Sequence, residues 1–149
     1  QPNPSLVRPM KILFLCTGNS CRSQMAEGWA RLLGGAAIEA HSAGVEKRGL
    51  NPLAVRVMAE AGVDISRHRA KLVSELPVQQ FDLVVTLCGH ASETCPFFPG
   101  GIIHRGFDDP PQLAAHARTE EEALDVYRRV RDEIRAFILT LPGLTGTEE

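Results

Sequence analysis

Phe14-Leu15-Cys16-Thr17-Gly18-Asn19-Ser20-Cys21-Arg22-Ser23-Gln24-Met25 is the stretch that decides the architecture. The apolar run Lys11–Leu15 leads into it and reads as a strand buried on both faces. A helical pattern from Arg22 to Leu33 leads out of it. Between Cys16 and Arg22 stand only small or polar residues, which let the backbone curl its N–H groups around a tetrahedral oxyanion. Concave rings of N–H at a helix N-terminus bind anions and favour thiolate over thiol. Gly18 is expected to take a positive φ in the turn. Arg22 offers a planar fork of donors suited to two oxygens of phosphate or arsenate, and Ser20 or Ser23 is placed to donate to the sulfur of Cys16. The expected anion cradle is therefore Thr17, Gly18, Asn19, Ser20, Cys21, Arg22 and Ser23, with Cys16 as nucleophile. A Cys and an Arg six apart are weak evidence alone; the strand before and the helix after give the spacing its meaning.

Working outward, the first helix is expected to turn Met25, Ala26, Trp29, Leu32 and Leu33 inward and to stop at Gly34-Gly35. Ala36–Ser42 is a second strand. Asn51-Pro52 reads as a cap and first helical position, opening a helix with Leu53, Val57 and Ala61 inward. Phe81–Leu87, rich in Val and Leu, is a third strand ending at Cys88, and Ile102–Phe107 a fourth delivering Asp108-Asp109-Pro110 to its exit. Thr119 with Glu122 has the form of a capping box. It starts a long helix on which Ala123, Tyr127, Val130, Ile134, Phe137 and Leu141 recur at helical spacing. Strands alternating with helices imply right-handed βαβ units. The expected fold is α/β: a three-layer arrangement with a four-stranded, mostly parallel sheet flanked by helices. Ligands of such sheets bind beyond the carboxyl ends of the strands, where Cys16, Cys88 and Asp109 all fall.

The chain has 149 residues, enough for one domain with a real core. That domain is expected over residues 10–141, with flexible ends at 1–9 and 142–149. Hydrophobic residues make up 44% and charged residues 23%, an ordinary soluble balance. A net charge of −2 gives no argument for a nucleic-acid or membrane partner, and no apolar run approaches the ~20 residues of a membrane span. The first ten residues hold three prolines and no apolar signal core. The expectation is a cytoplasmic monomer whose four cysteines are reduced and available for chemistry.

Cys88 and Cys95 frame Cys-Gly-His-Ala-Ser-Glu-Thr-Cys. Buried Cys is a common small hydrophobe, so this pair takes its meaning from the first loop. A thiolate bonded to an oxidised oxyanion can be attacked by a second thiol, and a third can then release the first. An intact helix would separate positions 88 and 95 by about 10.5 Å, whereas a disulfide needs Cα atoms within about 7 Å. A Cys88–Cys95 bond therefore requires that segment to loop or remodel, which Gly89 and Pro96 would ease.

The run Cys16–Trp29, together with His41-Ser-Ala-Gly44, Asn51-Pro52, Asp64-Ile-Ser66, Asp82–Cys88, Gly106-Phe-Asp-Asp-Pro110 and Arg129-Val-Arg-Asp-Glu-Ile134, resembles the thioredoxin-coupled arsenate reductases. These share the fold of low-molecular-weight protein tyrosine phosphatases, and the similarity runs from Lys11 to Leu139. The resemblance implies that Cys16 attacks arsenate held by the loop and Arg22 while Asp109 protonates the departing oxygen. Cys88 then attacks Cys16, expelling arsenite, and Cys95 attacks Cys88, moving the disulfide to where thioredoxin reduces it. It implies no bound cofactor and no metal, since the electrons come from thiols, and it gives Cys21 no step beyond packing. Some members bind potassium near positions matching Asn19, Glu27 and Ser42 together with an Asp. Here Lys71 stands at the Asp position, so an ammonium paired with Glu27 is expected in place of the ion.

Two other readings compete. A phosphatase would use Cys16, Arg22 and Asp109 identically, but has no need of Cys88 and Cys95. Such phosphatases usually carry tyrosines after the Asp-Pro to line an aromatic slot, where Pro111 and Gln112 stand here; weak phosphatase activity as a by-product is compatible with either reading. A metal-binding protein using Cys88, His90 and Cys95 would lack a fourth ligand and the usual paired spacing. Asp108 and Asp109 also have a plain role as turn starters before Pro110.

Overall fold

The structure is a computed structural model that describes residues 8–77, 80–88, 102–142 and 144. Its strands are β1 (Met10–Cys16), β2 (Ile38–Gly44), β3 (Leu83–Thr86) and β4 (Ile102–His104). The helices are α1 (Arg22–Gly34), α2 (Pro52–Glu60), α3 (Pro110–Ala114) and α4 (Glu120–Ile138). The sheet order is β2-β1-β3-β4, with every pairing parallel. The fourth strand is shorter than its apolar pattern suggests, and α3 was hidden behind what reads as a simple turn.

Side-chain alternation along β1 feeds two separate cores. Ile12, Phe14 and Cys16 face the larger one, shared with Met25, Ala26 and Trp29 of α1, Val57 and Met58 of α2, and Leu124, Tyr127, Val130 and Ile134 of α4. Leu13 and Leu15 face the other, with Ala43, Leu76 and Val84. On that second face the described cover is the single turn of 3₁₀ helix at Val73–Glu75 and the residues beside it. Because β1 is central, the point where the chain leaves it lies between β2 on one side and β3 on the other, where the strand order turns from one side of β1 to the other. That is the crevice at which doubly wound sheets hold ligands, and it places Cys16 against the end of β3, where Leu87 N donates to Leu15 O at 2.8 Å.

Helix faces depart from the sequence pattern in instructive ways. In α1 every residue from Arg22 to Ala30 is buried, polar ones included, because the sheet takes one side and α4 and the loop before β3 take the other. Leu32, expected inward, is instead 55% exposed. In α2 the inward positions are Ala54, Val57 and Met58, while Leu53 and Ala61 are only partly covered. The phase of a nine-residue helix is set by its cap, and Asn51 caps α2 by accepting from Leu53 N and Ala54 N. At α4 Thr119 accepts from Glu122 N as expected, but the Glu122 carboxylate returns to Arg118 N, one residue upstream of the capping-box partner.

Gly44, the last residue of β2, fixes how closely that strand meets the loop. A Cβ there would stand 2.7 Å from Thr17 O and 2.8 Å from Asn19 N, both backbone atoms that cannot step aside. Gly44→Ala is expected to destabilise the fold by about 2 kcal/mol and to slow turnover by about tenfold or more, because overpacking here is relieved only by moving the loop. Denaturant midpoints and initial rates check both effects.

Candidate active site

The loop after β1 is held open from outside. Thr17 O accepts from Val45 N and Glu46 N (3.0 and 3.1 Å), Gly18 O from Arg48 N (3.1 Å) and Ser20 O from Asn51 N (3.0 Å). In a planar trans peptide the N–H points opposite to the C=O. Carbonyls of Thr17, Gly18 and Ser20 turned out to the 45–51 strap therefore send the N–H groups of Gly18, Asn19 and Cys21 the other way, toward the cavity. This cavity, of about 160 Å³, is lined by Cys16, Gly18, Ser20, Cys21, Arg22 and Asp109, joined by Arg48, Asn51 and Pro111. It has the size and donor arrangement for a small tetrahedral oxyanion.

The left-handed turn belongs to Asn19, at φ 50°, and not to Gly18 as the sequence suggested. Asn is tolerated in this region when its side chain is well bonded. Here Asn19 Nδ2 donates to Ser23 Oγ at 2.8 Å, while Oδ1 accepts from Lys71 N at 2.7 Å and Gln24 Nε2 at 3.1 Å. Gly18 is small for a different reason: the Arg48 side chain lies where its Cβ would go, with Cδ at 2.5 Å.

Of the two candidate serines, Ser23 reaches the nucleophile, with Oγ 2.9 Å from Cys16 Sγ. Ser23 Oγ accepts from Asn19 Nδ2 and keeps a proton of its own that it can donate to the sulfur. Cys21 is also buried, and burial, reinforced by the nearby Cys16 and Asp109, pushes its thiol well above the ordinary cysteine range. A thiol so hard to ionise is a poor nucleophile, in keeping with a packing role.

Arg22 ties the site together. Its Nη1 donates to Phe107 O at 3.0 Å and Leu87 O at 3.3 Å, and its Nη2 stands 3.6 Å from Asp109 Oδ1. One guanidinium thus spans the ends of β3 and the segment after β4. The Asp109 side chain makes no capping bond to α3, although the residue occupies the N-cap position; it lines the cavity instead. Asp108 takes the structural part, paired with Arg129 at 3.0 Å. Cys88 Sγ lies at the same rim, 4.0 Å from Thr17 Oγ1. Cys95 and His90 lie outside the described residues, and with them the segment expected to remodel.

The residues matching a potassium site do not fit that ion. Glu27 accepts from Ser42 Oγ at 2.6 Å and pairs with Arg31 at 2.6 Å, and the Lys71 ammonium stands 4.0 Å away while donating to Arg69 O. Burial lowers the Lys71 pKa and Glu27 opposes that shift. Asn19 Oδ1, a further expected ligand, is already engaged by Lys71 N and Gln24. Among the described residues no other cluster of His, Cys, Asp or Glu could hold a metal ion, and no helix is long and apolar enough to cross a membrane.

Sequence reading missed Arg48 and the second use of Asn51. Besides capping α2, Asn51 lines the cavity and donates from Nδ2 to Tyr127 OH at 3.0 Å. Buried beside Cys21, Tyr127 has its pKa pushed up to about 12, mainly by desolvation. The phenol therefore stays protonated and anchors the strap to α4.

A strand–loop–helix cradle with Cys16, Arg22 and Asp109 converging on one cavity matches a known family model, low molecular weight phosphotyrosine protein phosphatase, over residues 11–138. The chain belongs to this family. An arsenate reductase of Halalkalibacterium halodurans is 50% identical over 131 residues, covering 87% of this chain and 92% of that protein. Among solved structures, an arsenate reductase in its phosphate-binding state superposes with a TM-score of 0.72 at 31% identity, covering 87% of this chain and 93% of the other. A low molecular weight protein tyrosine phosphatase from T. tengcongensis superposes with a TM-score of 0.65 at 32% identity, covering 87% and 95%. The chain thus superposes on an arsenate reductase and on a protein tyrosine phosphatase alike.

Proposed function

We propose that this protein reduces arsenate to arsenite through a relay of Cys16, Cys88 and Cys95, with thioredoxin restoring the thiols. The observation that carries the reading is Cys88 at the rim of a phosphatase cradle, two residues beyond the end of β3, the strand beside the nucleophile's own. Ester hydrolysis gives a second thiol there nothing to do. The half-identical arsenate reductase relative points the same way.

Electron and atom balance fit the residues. The Cys16 thiolate bonds to arsenic while an arsenate oxygen, protonated by Asp109, leaves as water. Arg22 and the loop N–H groups hold the remaining oxygens. The Cys88 thiolate then attacks Cys16 Sγ, and the S–As bond breaks with its electron pair going to arsenic. Arsenite departs and a Cys16–Cys88 disulfide remains. Cys95 attacks Cys88, freeing Cys16, and an external dithiol reduces the resulting Cys88–Cys95 bond. Two thiols supply the two electrons, so the reading calls for no bound cofactor or metal. One chain carries every group, so a monomer in the reducing cytoplasm suffices.

The phosphatase reading has in its favour the intact cradle, the family model and the superposing phosphatase structure. No aromatic side chain among the described residues lines the cavity, and Pro111 occupies the wall where an aryl slot would need one. The test is arsenate-dependent NADPH consumption with thioredoxin and its reductase. Wild type is expected to cycle, and Cys95→Ser to stop after about one turnover, because the disulfide it forms stays in the buried pocket. Sustained cycling by that variant would assign the relay to another thiol.

A further inference from the structure

Arg48 lies outside the loop motif, yet it lines the same cavity as Cys16, Arg22 and Asp109. Its backbone is locked to the cradle by Arg48 N donating to Gly18 O at 3.1 Å, and its neighbours Val45 and Glu46 are bonded to Thr17 O. Its aliphatic stem is laid against Gly18, with Cδ and Cγ at 2.5 and 2.7 Å from where a Cβ would stand. Any side chain at position 18 would lift Arg48 off the loop. The guanidinium itself is half exposed and pairs with the equally exposed Glu46 carboxylate at 2.8 Å. An exposed pair of this kind holds together weakly.

We propose that Arg48 is a second anion-binding residue of this site: it leaves Glu46 and closes over the oxyanion from the cavity mouth, while Glu46 sets the affinity by competing for it. This rests on the reading of the cradle's ligand as a tetrahedral oxyanion. Arsenate or phosphate brings up to two negative charges into a cavity already lined by Arg22, against one solvated charge on Glu46. Charge-assisted bonds from a planar fork favour the more highly charged, less hydrated acceptor. The Arg48 backbone has no need to move, because the strap already holds it at the rim; rotation about the outer side-chain torsions carries the head group across. One cation fixed deep in the loop and one swinging at the mouth also divide the labour. Arg22 orients the reacting centre, whereas Arg48 draws the anion in and delays its escape.

The experiment compares wild type, Arg48→Met and Glu46→Gln by calorimetric titration with inorganic phosphate and by arsenate initial rates. Met keeps an apolar stem to pack on Gly18 and removes the charge. Arg48→Met is expected to weaken phosphate binding and raise the arsenate KM by about tenfold each, with kcat falling less than about threefold, whereas Glu46→Gln tightens phosphate binding by about two- to fivefold. Phosphate affinity should also fall less steeply with salt in Arg48→Met than in wild type. Phosphate affinity within twofold of wild type in Arg48→Met overturns the proposal. So does a fall in kcat as large as the fall in kcat/KM, or Glu46→Gln shifting affinity in the same direction as Arg48→Met. Wild type that binds phosphate but never reduces arsenate would sink the arsenate reading while leaving Arg48's role to be decided by the phosphate titrations alone.

Discussion

Cys88→Ser is expected to abolish multiple-turnover arsenate reduction, by about 10³-fold or more, while leaving hydrolysis of p-nitrophenyl phosphate within about threefold of wild type. The two activities part at one atom. Ester hydrolysis needs Cys16, Arg22, Asp109 and water, all untouched by the change. Reduction needs a second sulfur to take Cys16 away from arsenic, and only a thiol held near it has the effective concentration to do so. The proposed relay gives that part to Cys88: the residue before it is paired with β1, and its own sulfur sits 4.0 Å from the hydroxyl of the residue after Cys16. Leu87 is pinned through both backbone groups, its N–H on Leu15 O and its C=O accepting from Phe107 N at 3.2 Å and Arg22 Nη1 at 3.3 Å. Any movement that brings the sulfurs together therefore starts at Cys88 and not in the strand. The measurement is arsenite formed per enzyme, alongside phosphate-ester hydrolysis on the same preparation. Continued arsenite release from Cys88→Ser would remove this thiol from the relay, and loss of both activities would mark it as a structural residue of the cradle.

Legibility in the sequence followed the range of the interactions. The β1–loop–α1 unit was readable because its determinants are contiguous: an apolar strand, small loop residues, and a helical pattern that carries through Gly28 to Gly34. The rim also followed from topology, since parallel strands put Cys16, Cys88 and Asp109 at the same edge once their strands were located. What escaped was set by contacts distant in sequence. Arg48 and Asn51 reach the cavity only because the 45–51 strap bonds to loop carbonyls, and no local pattern announces that. Gly18 was assigned a positive φ when its real constraint is the Arg48 stem lying across it, and Asn19 carries the turn through three side-chain hydrogen bonds, to Ser23, Gln24 and Lys71. Leu32 illustrates the converse. Its helical spacing is correct, but among the described residues nothing packs over it closely enough to bury it.

Asp109→Asn is expected to lower kcat for arsenate by about 10²–10⁴-fold, the range typical of losing a positioned general acid. This carboxyl does not cap the helix it precedes. At the N-cap of a helix an Asp ordinarily accepts from the first turn, and here that bond is missing although the backbone is in the capping conformation, φ −89° and ψ 107°. With Pro110 and Pro111 occupying the first two positions of α3, those residues have no N–H to offer. The chain thus fixes the backbone of Asp109 without a helix-capping bond from its side chain, which lines the cavity and stands 3.6 Å from Arg22. When an oxyanion enters beside it, the new negative charge favours the proton-carrying form of a carboxyl group, the form that the proposed mechanism uses to protonate the departing oxygen. Asn preserves the size and the backbone preference but has no proton to give, so the thermal midpoint is expected to stay within about 2 °C of wild type. Asp109→Glu, which keeps the acid on a longer arm, should recover part of the lost rate. A kcat within threefold of wild type for Asp109→Asn would assign proton delivery to solvent, and equal losses in the Asn and Glu variants would show that the position requires the shape of Asp rather than its acidity.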